Sequence, residues 1–176
     1  MAKRKRYLSP YETVQAWMRA NRGALVFEGM TVDDWRGWRR QFRAQLVKRL
    51  GPMPEQVSLR SEVLEREDMG TYVREKVVYD TERFASVSAY VLVPKGLKRG
   101  EKRPGVLAAH GHGIGKNPLV GLDGDGKPHM DYQKQLAVQL VERGYVVVAP
   151  DWRGFGERMS PEDWVRSTRD KCNVNF

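Results

Sequence analysis

The sequence predicts an α/β fold in which antiparallel strands lead into a parallel βαβ core, preceded by a helical N-terminal extension. Three observations support this: helical periodicity near the start, strand-like alternation over 56–94, and a strand, loop, helix, strand order over 105–151. A chain of 176 residues is long enough to bury one sizeable core. We therefore expect a basic helical extension over 1–54 and an α/β domain over 55–176.

Composition and charge exclude several classes of protein. Hydrophobic residues make up 40% and charged residues 30% of the chain, as in ordinary soluble domains. No apolar run approaches the roughly 20 residues that a membrane span needs, so we expect no membrane partner. The charged opening has no apolar segment behind it, which argues against a secretory signal. The single cysteine, Cys172, suits a reducing compartment, and we expect a cytoplasmic protein.

The positive charge is concentrated at the N-terminus. Residues 1–50 contain 12 Lys or Arg against 4 Asp or Glu, a net charge of +8, whereas the rest of the chain is nearly neutral. The KRKR run at 3–6 is a possible nucleic-acid contact, but such short terminal runs are more often solvated, so we do not expect nucleic-acid binding. One function hypothesis is a non-enzymatic module whose basic helical N-terminus contacts an acidic partner.

Two helices are expected in the extension. Pro10 suits the first turn of one helix, and Thr31 with Asp34 forms the pattern of a capping box that begins a second. Gly51 and the prolines that follow end this second helix. Its apolar side chains recur at spacings of three and four, and we expect them to pack against the main domain. They are Trp35, Trp38, Phe42, Leu46 and Leu50.

The next segment reads as two or three antiparallel strands. Val57, Leu59, Ser61 and Val63 alternate on one face, and the stretches YVREKVVYD and SVSAYVLVP follow, separated by DTERFA.

The hydrophobic pattern of the next segment, 105–151, is that of a βαβ unit. GVLAAHG at 105–111 and YVVVAPD at 145–151 are continuous apolar runs, typical of strands buried on both faces. Between them, apolar residues at helical spacing predict a helix that Asp131 caps at its N-terminus and Gly144 ends. This order requires a parallel sheet with a right-handed crossover.

Two motifs carry a resemblance to a known family. HGHG at 110–113 follows the first buried strand, and DWRGFGE at 151–157 follows the second. With these motifs, the stretch 84–158 resembles the α/β-hydrolase superfamily, most closely its dienelactone-hydrolase-like and acetyl-xylan-esterase-like enzymes. The resemblance implies the N-terminal part of an α/β-hydrolase fold, and a serine-type acyl hydrolase acting on a small-molecule ester.

The resemblance also implies roles for the residues of both motifs. In this family a backbone N–H after the strand stabilises the oxyanion of the tetrahedral intermediate. This implies that the backbone N–H of His112 is the donor and that the His110 side chain orients the loop from beneath. Gly111 and Gly113 would allow a positive φ in the turn and a close approach of the substrate to the backbone. After the second strand, Trp152 and Phe155 would line an acyl or leaving-group pocket or belong to the core. Asp151 and Arg153 would form a structural turn, pairing locally or with the next helix.

Other uses of the histidines are less well supported. Two histidines at i and i+2 could ligate a metal, but His129 is the only other histidine and there is no cysteine cluster. In the family the catalytic base comes late in the chain, which argues against His110 or His112 as the base. We expect no metal and no cofactor.

The 176 residues contain no Gly-x-Ser-x-Gly motif, so the nucleophile, acid and base of such an enzyme are absent from them. Cys172 lacks the strand–turn–helix setting of a substitute nucleophile. We therefore expect an N-terminal portion of a hydrolase that is inactive alone and is completed by a missing C-terminal segment or stabilised by self-association.

Overall fold

The computed structural model describes residues 6–21 and 23–159. The chain divides into two compact units, Met1–Pro54 and Glu55–Phe176. Most of the KRKR run and Cys172 lie outside the described residues. No helix within the described ranges is long and apolar enough to cross a membrane.

The N-terminal unit contains helices α1, Pro10–Ala20, and α2, Val32–Leu50. The predicted capping box is confirmed: the Thr31 hydroxyl accepts a hydrogen bond from the Asp34 N–H at 3.1 Å, and the Thr31 N–H donates to the Asp34 carboxylate at 3.0 Å. Gly51 follows α2 with φ of 76°. Each end of α2 therefore has the residue that its backbone geometry requires.

Trp38 holds α2 to the segment before it. Its ring lies 5.4 Å from that of Phe27 and 5.1 Å from that of Phe42, and its indole N–H donates to the Leu25 carbonyl at 2.8 Å. Part of the apolar stripe thus packs within the N-terminal unit. Packing of the remaining stripe against the main domain stays a prediction.

The second unit is built on a five-stranded sheet of order β1-β2-β3-β5-β4. Neighbouring strands are antiparallel except β4 and β5, which are parallel in the described sheet. Antiparallel strands leading into a parallel pair were predicted and are confirmed. The strands are β1 Glu62–Asp68, β2 Tyr72–Glu82, β3 Ala85–Pro94, β4 Gly105–Leu107 and β5 Val146–Pro150.

Two strand predictions need correction. β1 begins at Glu62, so Val57 and Leu59 precede it, although the Leu59 carbonyl accepts a hydrogen bond from the Asp80 N–H at 2.7 Å. β4 is shorter than predicted and is not buried on both faces, because Gly105 and Leu107 are exposed, Leu107 to 61%. It is also an edge strand, since β5 is its only neighbour in the described sheet. After the Ala108 N–H bonds to Val148 at 2.8 Å, the chain leaves the sheet.

Helix α3, Leu136–Glu142, begins later than predicted. Asp131 does not cap it, because its carboxylate accepts a hydrogen bond from the Gln133 N–H at 2.7 Å within a turn. Gly144, with φ of 87°, lies just beyond its end as predicted. The segment expected to form the first turn of the helix instead contacts the loop after β4, as described below.

One face of the sheet forms the core with α3 and with a short 3₁₀ turn, Asn117–Val120. Leu92, Val147 and Ala149 from the strands are fully buried against this layer. Since β4 and β5 are parallel, the loops at their carboxyl ends emerge at the same edge of the sheet, where ligands bind in open α/β sheets.

Candidate functional site

The two loops that carry the sequence motifs meet at this edge. The Trp152 N–H, in the turn after β5, donates a hydrogen bond to Nε2 of His110, in the loop after β4, at 3.1 Å. The His110 ring also lies 5.2 Å from the ring of Phe155. The fold thus brings together residues about 40 positions apart that the sequence assigned to one site.

His110 is buried and uses both ring nitrogens. Nε2 accepts from Trp152, and Nδ1 lies 2.7 Å from the carbonyl oxygen of Gly111. One acceptor and one donor position fit a neutral imidazole that carries its proton on Nδ1. The Nδ1–H therefore donates to Gly111 from beneath the loop.

This contact sets the direction of the next N–H. The peptide between Gly111 and His112 is trans, like every described peptide bond, so its N–H points opposite to its carbonyl. Because the Gly111 carbonyl faces the His110 ring, the His112 N–H points away from that ring. No described residue accepts a hydrogen bond from this N–H.

Two side chains before α3 fix the peptides on either side. Gln133 Oε1 accepts from the Gly111 N–H at 2.9 Å, and the Tyr132 hydroxyl donates to the His112 carbonyl at 3.2 Å. The Gly111 N–H is thereby occupied, while that of His112 stays available. We refer to Tyr132 and Gln133 as the strap.

The loop glycines differ from expectation in one respect. Neither Gly111 nor Gly113 has a positive φ, which occurs instead at Gly115, where φ is 96°. Gly111 is required for close approach, since a Cβ there would overlap the Tyr132 hydroxyl. The prediction of positive φ was therefore wrong for both glycines of the motif.

A buried ion pair closes the far end of the loop. Lys116 Nζ lies 2.6 Å from Asp151 Oδ2, and the Lys116 backbone N–H donates to Asp151 Oδ1 at 2.7 Å. The exposed fractions of Lys116 and Asp151 are only 2% and 1%. The Glu157 N–H donates to the same carboxylate at 3.1 Å, so Asp151 joins the loop after β4 to the turn after β5.

Glu157 extends this network towards the sheet. Its carboxylate accepts hydrogen bonds from Lys116 and Ser88 at 2.5 Å each and from Lys76 at 2.9 Å. Burial by itself would raise the pKa of the Glu157 carboxyl, but these three donors outweigh it and lower the pKa to about 2. Glu157 is therefore ionised at any physiological pH.

The turn residues are arranged differently from the prediction. Asp151 pairs with Lys116, whereas Arg153 lies on the outside of the turn and pairs with Glu82 at 2.6 Å. The expected local pairing of Asp151 is met only by its bond from the Glu157 N–H, because its side chain points inwards and pairs with the buried cation of Lys116.

Trp152 and Phe155 lie beside the loop. Trp152 is 41% exposed, so its side chain is part of the surface rather than of the core. Together with the loop they form a shallow depression of about 350 Å³. Its lining consists of His110, Gly111, His112, Trp152, Arg153 and Phe155.

A larger cavity of about 640 Å³ lies over the outer strands, next to the Lys116 network. The turn at 124–126 forms part of its wall. Asp123 Oδ1 accepts hydrogen bonds from the N–H groups of Asp125 and Lys127 at 2.9 and 2.8 Å and so closes this turn internally. Residues 123–127 thus form a self-contained surface turn. No group of three or more potential metal-binding side chains occurs within residues 6–21 and 23–159.

Sequence reasoning missed Lys116 and the strap. The partners of Lys116 lie 35 and 41 residues away along the chain, and the Gly111 partner Gln133 lies 22 residues away. A lone lysine after glycines has no local pattern that predicts a buried ion pair. Glu157 is the last residue of the second motif, but the motif did not indicate that its carboxylate belongs to this network.

Comparison with known proteins supports the resemblance. The model of the Abhydrolase family matches residues 2–175. The crystal structure of a putative acetyl xylan esterase from Bacteroides fragilis NCTC 9343 is similar with a TM-score of 0.72 and 23% sequence identity, over 93% of this chain and 42% of that chain. Acetyl xylan esterase 1 from Thermoanaerobacterium sp. JW/SL YS485 matches less well, with a TM-score of 0.40 and 20% identity, over 58% of this chain and 27% of that one. No protein in a search of curated sequences matches.

The chain therefore spans less than half the length of the first of these structures. The family match extends over nearly the whole sequence, and the first of these structures has a similar fold over 93% of this chain. The chain belongs to the Abhydrolase family and has an α/β-hydrolase fold, to which the first of these structures is similar.

Proposed function

We propose that this chain supplies the oxyanion-hole loop of a carboxylesterase-like serine hydrolase, with the His112 N–H as the donor. The observation that carries the proposal is the orientation of that N–H. The His110 ring binds the Gly111 carbonyl, the trans peptide directs the His112 N–H to the opposite side, and no described residue occupies it.

The chemistry explains why such a group matters. Attack on an ester carbonyl produces a tetrahedral intermediate with a negative oxygen, and fixed N–H donors stabilise the charge as it develops. The His112 N–H fits this use, since its direction is fixed before substrate arrives. The Gly111 N–H does not, because it already donates to Gln133 at 2.9 Å. A second donor in this fold comes from the residue after the nucleophile.

The nucleophile, acid and base must come from other residues, since the 176 residues contain no Gly-x-Ser-x-Gly. His110 is unsuited to act as the base because both of its ring nitrogens are engaged. We propose that these three groups lie in the polypeptide that continues this chain. We refer to the present chain together with that continuing polypeptide as the complete protein.

The depression beside the loop suits a small ester. Trp152 and Phe155 present aromatic surface next to His112, whose ring lies 5.6 Å from that of Phe155. We propose that these two side chains form one wall of the acyl or leaving-group pocket. Apolar walls with a few placed polar groups are typical of small-molecule sites.

The test compares two substitutions at one position of the complete protein. His112→Pro removes the backbone donor, whereas His112→Ala removes the imidazole and keeps the N–H. We expect the proline variant to lose roughly 100-fold in kcat, the scale of one oxyanion donor, and the alanine variant to lose much less. Circular dichroism and melting serve as folding controls. Equal, large losses in two well-folded variants would assign the effect to the imidazole and contradict the proposal.

A further inference from the structure

We propose that Lys116 is a positioning residue that fixes the far end of the oxyanion loop through its buried ion pair with Asp151. This inference rests on the proposed function of the loop. Lys116 does not line the depression beside His112, so its effect must pass through the backbone.

The loop is held firmly at its two ends. At the near end, Ala108 bonds to β5 and His110 bonds to the Trp152 N–H. At the far end, both the side chain and the backbone N–H of Lys116 bind the Asp151 carboxylate, at 2.6 and 2.7 Å. Between these points, no N–H of residues 112–115 has an acceptor among the described residues. The path of this middle segment depends mainly on its ends and on the strap.

The far end has little freedom to move. A Cβ at Gly115 or at Gly156 would overlap the Asp151 carboxylate, so the chain passes close to that group on two sides. Lys116 Nζ also contacts Glu157 at 2.5 Å and lies 5.4 Å from the centre of the Tyr90 ring. Displacing the loop would separate the charges of Lys116 and Asp151, which are both almost completely buried, and this is costly.

Loss of the lysine charge should therefore release the loop. Lys116→Met keeps a long, unbranched side chain but leaves the Asp151 carboxylate buried without its cation. Asp151 would then draw in water or change conformation, and the backbone bond to residue 116 would weaken. The His112 N–H would lose its fixed position relative to the turn after β5.

Lys76 offers a matched control. Its ammonium binds the other oxygen of the Glu157 carboxylate at 2.9 Å, and it has no hydrogen bond or ion pair to residues 110–116 within the described chain. Lys76→Met removes the same charge from the same network without touching the loop. Any effect specific to Lys116 must then come from its bonds to the loop and to Asp151.

The experiment uses the complete protein and two independent readouts. Hydrogen exchange of peptides covering 109–117 reports the N–H groups of residues 111 and 116, both of which are hydrogen-bonded. In Lys116→Met we expect their exchange to quicken by about tenfold or more, with β2 and β3 unchanged, because a charge-assisted bond is lost. On an ester substrate we expect kcat to fall roughly 100-fold at constant KM, as for a small misplacement of a catalytic group. Lys76→Met should change neither readout.

Each outcome bears on the inference separately from the proposed function. Unchanged exchange in Lys116→Met would overturn it, and so would faster exchange in an active enzyme whose kcat is unaffected. If the unmodified protein hydrolyses no ester, the proposed function fails and exchange alone decides whether Lys116 fixes the loop. If Lys116→Met does not fold, Asp151→Asn keeps an oxygen that accepts the N–H of residue 116 but removes the charge that pairs with Lys116, and it should give a smaller increase in exchange. No increase in that variant would also overturn the inference.

Discussion

The backbone N–H of Trp152 donates a hydrogen bond to Nε2 of His110 at 3.1 Å, which joins the loops after the two parallel strands. The opposite ring nitrogen holds the Gly111 carbonyl at 2.7 Å. One imidazole thus satisfies a backbone donor in one loop and a backbone acceptor in the other. These contacts support the orienting role that the resemblance implied for His110, and that role stays a prediction.

His110→Ala should remove both contacts and leave two part-buried backbone groups without their partner. We expect a loss of unfolding free energy of about 2 kcal/mol, in the range for buried unsatisfied groups. His110→Asn places an amide near the former Nδ1 and should keep the bond to Gly111, with a smaller loss. Urea denaturation of the complete protein measures both variants. Equal stability of the alanine variant and the unmodified protein would show that these bonds contribute nothing net.

Gly111 and Gly113 form a matched pair for testing the strap. A Cβ at Gly111 would overlap the Tyr132 hydroxyl, whereas a Cβ at Gly113 would lie 4.0 Å from it, at ordinary contact distance. Tyr132 is largely exposed and can swing away, so Gly111→Ala should cost little stability but break the bond from Tyr132 to His112.

We expect Gly111→Ala to lower kcat of the complete protein, Tyr132→Phe to lower it by a similar factor, and Gly113→Ala to leave it nearly unchanged. Steady-state kinetics on one ester substrate measure all three variants. A normal Tyr132→Phe enzyme together with an impaired Gly111→Ala enzyme would place the effect in the backbone of the loop rather than in the strap.

Local signals in the sequence were sufficient for several elements. The capping box of Thr31 and Asp34 requires only residues three apart, and β2 and β3 follow from alternation with a short turn between them. These features depend on neighbours along the chain, which is why a single sequence reveals them. The HGHG motif likewise marked a loop that the fold places at the carboxyl edge of the sheet.

Features that depend on distant contacts were not predictable in this way. The start of α3 shifts to Leu136 because Tyr132 and Gln133 bind the loop after β4, which overrides a helical pattern extending from Asp131. The pairing of Lys116 with Asp151 joins residues 35 positions apart that carry no shared motif. Tertiary bonds decided these details, and local propensity could not anticipate them.

Glu157 gives a prediction for acid stability. Its pKa is about 2 in the folded protein against an ordinary value of 4.5, so folding favours the ionised form. A lowered folded pKa contributes stability that is complete above the unfolded pKa and is lost as pH falls through the folded one. The contribution should therefore disappear between about pH 4.5 and about pH 2.

We expect the stability difference between the unmodified complete protein and Glu157→Gln to be largest near neutral pH and to shrink below pH 4.5. The carboxylate is half exposed, so water screens its interactions and the difference should be modest. Urea midpoints across this pH range measure it, with Glu55→Gln as the control at an exposed glutamate. A difference that stays constant down to pH 2 would contradict the assignment.

The 176-residue chain alone should have no serine-hydrolase activity. It contains no nucleophile motif, and an oxyanion donor by itself cannot form the acyl intermediate. The test incubates the purified chain with p-nitrophenyl acetate and, separately, with a fluorophosphonate probe. Turnover above that of a heat-treated sample, or stoichiometric labelling of any serine, would refute this prediction.

The last prediction concerns the free edge at β4. In the described sheet this strand pairs with β5 on one side and has no strand on the other, and Leu107 is exposed beside it. Because the chain has an α/β-hydrolase fold, we expect the strand that carries the nucleophile to occupy this side in the complete protein.

Unpaired N–H and C=O groups next to apolar side chains recruit other chains, and parallel strands are normally covered on both faces. We therefore expect the 176-residue chain to self-associate or to bind hydrophobic dyes unless the polypeptide that continues it is present. Sedimentation velocity and thermal melting, with and without that polypeptide, measure this. Pairing of the β4 edge would remove the cause of self-association, so addition of the missing segment should give a monodisperse species. A compact monomer with a sharp, cooperative melt in its absence would show that the β4 edge is already protected within this chain.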